Sequence, residues 1–156
     1  DLDHASLYFG CFMSKTITLV AVSFLGLSGC AIHQNVRPVN SFQEKEICII
    51  ENPSVREGFY DSYRRALTAK GYAVKRLPVS ASIRDCGITS TYTAKWRWDL
   101  ALYMAYSEIK VYGNGQLIGE ATYDSQRGGG NMGKFIDADK KITELTNQLF
   151  PGEAGM

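Results

Sequence analysis

From Ile88 to Tyr123 the chain alternates with a period of two, and β-branched and aromatic side chains recur throughout. A period of two puts successive side chains on opposite faces of a pleated backbone, so this stretch is committed to a sheet. Three strands fit it, roughly Ile88–Arg97, Leu100–Tyr112 and Gln116–Tyr123. Gly113-Asn114-Gly115 supplies the positive-φ residues of a tight hairpin between the second and third. The join near Trp98-Asp99 holds no turn former except Asp99, and one long bent strand is the alternative there.

A different pattern precedes it. Lys45–Glu51 reads as a short apolar strand, which Asn52-Pro53 stops. Ser54 followed by Glu57 has the spacing of a capping box. Val55, Phe59, Tyr63, Ala66 and Leu67 then recur at helical spacing, predicting a helix over Val55–Lys70 that Gly71 ends. Tyr72–Pro78 is a second strand, and a strand–helix–strand unit pairs its strands in parallel. A last helix over about Lys134–Phe150 shows Phe135, Ala138, Ile142, Leu145 and Leu149 on one face, with Pro151-Gly152 behind it. The expected fold is α/β of the α+β kind: one mixed sheet of about five strands with two helices on one face, in the order β-α-β-β-β-β-α over residues 45–152.

Met13–Cys30 has the plan of a secretory signal. Lys15 gives a short positive start, Ile17–Leu27 an uncharged apolar run, and Ser28-Gly29 a small-residue close. Spanning a bilayer takes about 20 apolar residues, and this run is interrupted by Thr18 and Ser23. Leu27-Ser28-Gly29-Cys30 resembles the lipobox of bacterial lipoproteins, which implies acylation of Cys30 with fatty acid such as palmitate and a membrane anchor through that lipid. Residues 1–12 then read as an upstream extension outside the native start, 13–29 as the signal peptide, and 30–44 as a lipidated tether with no regular period. The 17 Lys and Arg and 16 Asp and Glu of the chain include Lys15, Asp1 and Asp3, so the part from Cys30 onward carries a net charge of +2. That is no field for nucleic acid.

Thr93–Asp124, the run Arg127–Gly130 and the final Leu149–Gly152 resemble small uncharacterised outer-membrane lipoproteins of Gram-negative bacteria. Ala31, rather than an aspartate, follows the cysteine, and in that family this implies the outer membrane with the domain facing the periplasm. The glycine hairpin leading into Leu117–Asp124 also resembles, at fold level, the amino-terminal domain of TolB and the related domain of the lipoprotein CsgG. Of four cysteines, Cys11 lies in the upstream extension and Cys30 takes the lipid. Cys48 and Cys86 remain as one pair in an oxidising compartment, where a disulfide is expected and two free buried thiols are the alternative.

The search for chemistry excludes more than it finds. The one histidine after Cys30 is His33, in the tether, so a Ser-His-Asp or Cys-His arrangement has no base within the domain. With both cysteines oxidised, zinc would be left carboxylates alone. No enzyme activity, metal or cofactor is expected.

Two features are candidates for binding. Trp96 and Trp98 share a sheet face with Tyr92, either packed under the helices or exposed as an interface anchor. Arg127-Gly128-Gly129-Gly130-Asn131 is either a plain connection or a set of amides converging on an anion before a helix. The expected function is a non-enzymatic outer-membrane lipoprotein whose periplasmic domain binds another envelope component, an envelope protein partner above all. Binding of a small or anionic ligand, a glycan or lipid fragment, at the glycine loop or an aromatic face is the alternative.

Overall fold

The computed structural model describes residues 31–40 and 42–152; the signal segment and Cys30 lie outside the described residues. Six strands form one open mixed sheet: β1 His33–Arg37, β2 Glu46–Ile50, β3 Ala73–Leu77, β4 Ile88–Asp99, β5 Ala101–Gly113 and β6 Gln116–Asp124. Their spatial order is β1-β6-β5-β4-β2-β3. Helix α1 is Glu57–Ala69 and helix α2 is Ala138–Leu149, with a short 3-10 turn at Met132–Phe135 ahead of the latter. The mixed α+β class is therefore the one the sequence predicts, with one more strand than expected.

β2, α1 and β3 form the parallel unit, in register from Glu46 opposite Ala73 to Ile50 opposite Leu77. β4 joins β2 in parallel through Cys48–Thr89 and Ile49–Ser90. β4, β5 and β6 are an antiparallel meander, turned at its second corner by Asn114 and Gly115, both at positive φ.

Both helices cover one face. Ile47, Ile49, Ile109, Val111 and Ala121 face them from the sheet, and Phe59, Tyr63, Leu67, Ile142, Leu145 and Leu149 face down from the helices. Phe59 stacks on Tyr92 at 5.1 Å between centroids. Tyr63 and Ser90 hydroxyls share a hydrogen bond of 2.8 Å in full burial, and burial pushes the Tyr63 phenol well above its ordinary value. The opposite face is polar, with Lys110 between Glu108 and Glu120 at 2.8 and 3.7 Å. An antiparallel sheet with one solvated face accounts for the alternation along β4–β6.

Two local expectations are corrected. Ser54 caps nothing: its N–H donates to Asn52 Oδ1 in a local turn, and α1 starts at Glu57 behind Arg56, with no side-chain cap. The expected tether is not a tether from Ile32 onward. His33–Arg37 pairs antiparallel with β6, from His33 opposite Asp124 to Arg37 opposite Glu120. Ile32 and Val36 pack against the core and Val39 is buried in it.

The strand β1 was hard to see because what it turns toward α2 is polar. Gln34 donates to Glu144 and Gln148 and accepts from Lys141, and the hydrogen bonds from Lys141 and then Gln34 hold Glu144 below the usual carboxylate range. The Val39 amide continues the docking by donating to the Leu149 carbonyl at 2.8 Å. Gly119 makes room for this segment, since a Cβ there would overlap Val39 Cγ1 and crowd Leu149.

Cys48 on β2 is bonded to Cys86 ahead of β4, with Cα atoms 6.2 Å apart and 38 positions of chain closed between them. The chain-entropy relation for such a loop gives about 4 kcal/mol. The double substitution Cys48→Ala, Cys86→Ala is therefore expected to lower unfolding free energy by about that amount, read from urea unfolding as a lower midpoint with a slope equal to or steeper than the parent's. Gly119→Ala should cost about 1–3 kcal/mol by overpacking and should speed amide exchange at Val39 ahead of the strand core; unchanged exchange at Val39 would refute the close-approach account.

Candidate functional site

Strands β4 and β5 outrun their neighbours. β6 reaches only Tyr106 on β5, where it ends at Asp124, while β5 and β4 continue pairing out to Asp99 opposite Ala101. On this overhang Trp96 faces Met104 and Trp98 faces Leu102. These four extend the helix-side row of Tyr92, because a bulge on β5 between its partners for Lys95 and Trp96 leaves the alternation of β4 intact.

The two tryptophans then part company. Trp96 is half-buried, edge-on to Phe59 at 6.5 Å, with the Arg56 guanidinium over its ring at 5.8 Å. Trp98 lies past the helix ends and is 75% exposed, with Leu102 51% and Leu100 80% exposed beside it. Leu100 alone connects the two strands and sits at φ 60°. A bulky residue at positive φ is uncommon and costly, and here it is also the most exposed large apolar side chain among the described residues.

A second segment braces the overhang. After β6, the Ser125 amide donates to the Ala105 carbonyl at 2.9 Å, and its hydroxyl reaches the Met104 and Ala105 carbonyls, so the base of β5's uncovered edge is met. Arg97 donates to Gln126. Lys134, only 5% exposed, places its ammonium on Asp99 Oδ2 and the Gly129 carbonyl, beneath the rings of Tyr103 and Phe135 at 5.5 and 5.1 Å. The Asp99 charge at the hairpin end is thus paired rather than free. Nothing in the sequence marks Lys134 for this, since a lysine at the head of an amphipathic pattern reads as a solvated residue.

The glycine loop is spent on the same bracing. The Gly128 and Asn131 amides donate to Ser125 and Gly128 carbonyls, and Asn131 Oδ1 accepts from Gly133 to start the 3-10 turn. The loop does not open the long last helix as expected; α2 starts at Ala138 under an Asp137 cap. Arg127, Gly129 and Gly130 are exposed, and Gly128 is buried.

Two open grooves flank Trp96. One of about 490 Å³ lies between the starts of α1 and α2, with Arg56, Glu57, Asp139 and Ile142 on its walls. The other, about 350 Å³, runs under Leu102, Met104, Phe135 and Ala138. A third of about 340 Å³ sits beyond β2 and β3, where Arg76 pairs with Glu51 and lies over Tyr60. Burial raises the Tyr60 and Tyr92 phenols above their ordinary value there, and the Tyr92 hydroxyl accepts from the Asn52 amide. Among the described residues the one cluster of three potential metal ligands is Glu46, Cys48 and Cys86, and its two sulfurs are joined to each other.

The fold is thus a six-stranded mixed sheet with helices on one face and a protruding apolar hairpin. No protein-family model matches the sequence, and no curated protein matches it. Solved structures do match in shape. A PelC dodecamer from Paraburkholderia phytofirmans has a chain that superposes with a TM-score of 0.53 at 12% identity, over 81% of this chain and 100% of that one. A second crystal form of PelC from the same organism gives 0.49 at 15% identity, over 80% and 99%. A minor lipoprotein from Acinetobacter baumannii gives 0.38 at 13%, over 67% and 90%. At such identities the first of these likenesses shows the fold alone.

Lys134→Met keeps the length of the side chain and removes the charge that Asp99 and Gly129 bind. It is expected to cost about 1–3 kcal/mol and to accelerate amide exchange at residues 97–103 while β2 and β3 stay protected. Exchange in the hairpin equal to that of the parent would remove Lys134 as its support.

Proposed function

We infer that this chain is a non-enzymatic, lipid-anchored outer-membrane protein whose periplasmic domain binds another component of the envelope through the end of the β4–β5 hairpin. One observation carries the reading: Trp98, Leu100 and Leu102 stand exposed together on an overhang that is braced along its edge and neutralised at Asp99. Exposed apolar side chains held rigid in this way lower the ordering cost of contact, and a large apolar patch on a soluble surface is characteristic of an interaction site. The lipobox resemblance at Leu27–Cys30 supports the anchor, and Ala31 supports the outer membrane.

The ligand-binding alternative draws less from the geometry. Two of the glycine-loop amides that an anion would use already donate within the loop, and the turn that follows is four residues long.

Acyl labelling in cells is expected to mark the mature chain and to vanish in Cys30→Ser, whose precursor stays unprocessed. A photoreactive residue at position 100 should give adducts with an envelope component, while one at Thr91, on the polar face, should not. Adducts from position 91 alone would overturn the hairpin as the binding end. The PelC structures are of dodecamers, so the mass of the purified chain in solution belongs in the same experiment: a homo-oligomer whose adducts at position 100 join two copies would make the envelope component another copy of this chain.

A further inference from the structure

We propose that the component met by the hairpin is the lipid surface itself: the Trp98–Leu102 tip dips into the leaflet that holds the Cys30 anchor and fixes the domain upright on it. This rests on the anchoring reading above and names the partner of the same site.

The geometry begins with the sheet register. His33 pairs with Asp124, and Asp124 pairs with Tyr106. The first residue of β1 therefore lies in the row where β6 stops and the β4–β5 overhang begins. Chain and overhang leave the sheet at the same end.

Cys30 is three positions before His33, so its Cα lies within about 10 Å of that row however the chain runs. Ile32 packs against the core, close to Gly128 and Gly133 of the bracing segment, which shortens the free chain further. The overhang from Tyr106 to Ala101 projects about 15 Å past the row at the ordinary rise of a strand. A projection longer than this backbone leash brings the tip to the surface to which the leash is tied when the domain stands upright. With Cys30 acylated, the hairpin tip meets lipid unless the domain lies on its side.

The chemistry of the tip suits that place. Trp98 has an apolar body and a polar N–H, the combination that collects at the membrane–water boundary. Leu100 and Leu102 are apolar and exposed, and the one charge among them, Asp99, is bound by Lys134. Exposed Met132, two residues from Lys134, adds to the same end, while exposed Lys95, Arg97 and Arg127 stand behind the tip at the level of headgroup phosphates.

A protein occupant fits less well. Three side chains present on the order of 400 Å², about half of what one side of a stable protein interface needs. Lipid contact needs only weak affinity of its own here, because an acyl anchor supplies the local concentration.

The test uses the full chain with its native acylation, reconstituted in phosphatidylethanolamine and phosphatidylglycerol vesicles whose acyl chains carry bromine. The expected result is quenching and a blue shift of tryptophan emission that disappear in Trp98→Phe, leaving Trp96 unquenched. Leu100→Asp with Leu102→Asp should lose the Trp98 quenching while far-ultraviolet dichroism and flotation with the vesicles persist, since both positions are exposed and the anchor is intact. Mass measurement of the mature chain separates the two readings. An acylated chain whose Trp98 emission is untouched by brominated lipid overturns the tip contact and leaves the anchoring standing. A chain without acyl mass on Cys30 overturns the anchoring and this inference with it. Trp98 shielded yet unquenched, with position 100 crosslinking two copies, overturns it in favour of self-association.

Discussion

The ammonium of Lys134, buried under Tyr103 and Phe135 and bonded to Asp99 and Gly129, holds the overhanging end of β4 and β5 to the rest of the domain. An isolated two-stranded hairpin is marginal in water, and beyond Tyr106 this one has no strand beside it. Part of its edge is met by another segment, where Ser125 bonds the Met104 and Ala105 carbonyls. A charge buried in this way is costly to leave unpaired, so hairpin, glycine loop and 3-10 turn are tied into one unit. The glycine run is thereby explained without a ligand: Gly129 takes a positive φ and turns its carbonyl to Lys134.

Much of the architecture was legible in the sequence because it rests on periodicity. The change from period 3.6 to period 2 at Ile88, and the Gly113-Asn114-Gly115 corner, fix the β-α-β unit and the meander. Features that depend on one tertiary contact were not. β1 has a single apolar residue facing inward, Val36, and docks through Gln34 on Lys141 and Glu144, so HQNVR reads as tether. Ser54 and Glu57 satisfy a capping pattern, yet Asn52 takes the Ser54 amide first, and a local Asx turn wins over the cap. At the Trp98-Asp99 join the chain turns at Leu100, a residue type that no turn rule would select.

The candidate site was half visible for the same reason. Alternation places Trp96 and Trp98 on one face, but only the length of α1 and α2 decides that Phe59 covers the first and nothing covers the second. Trp96 is partly buried against the core and Trp98 is exposed. Lys134 has no sequence signal at all, because a buried cation is specified by its partners.

The docking of β1 bears on the proposed anchor mechanically. A structureless segment from residue 30 to 44 would let the domain turn freely, with its r.m.s. reach growing as the square root of its length. With His33–Arg37 hydrogen-bonded to β6 and Val39 bonded to α2, the free chain after Cys30 shrinks to a few residues. If Cys30 carries the proposed lipid, a leash this short makes the lipid a hinge rather than a mooring, and the hairpin proposed to touch the leaflet would be a second point of contact. Two such points would leave one axis of rotation, and the exposed cations behind the tip, Lys95, Arg97 and Arg127, would resist rotation about it on anionic headgroups. On the anchoring proposed above, the polar sheet face, with Lys110 between Glu108 and Glu120, would stand clear of the leaflet.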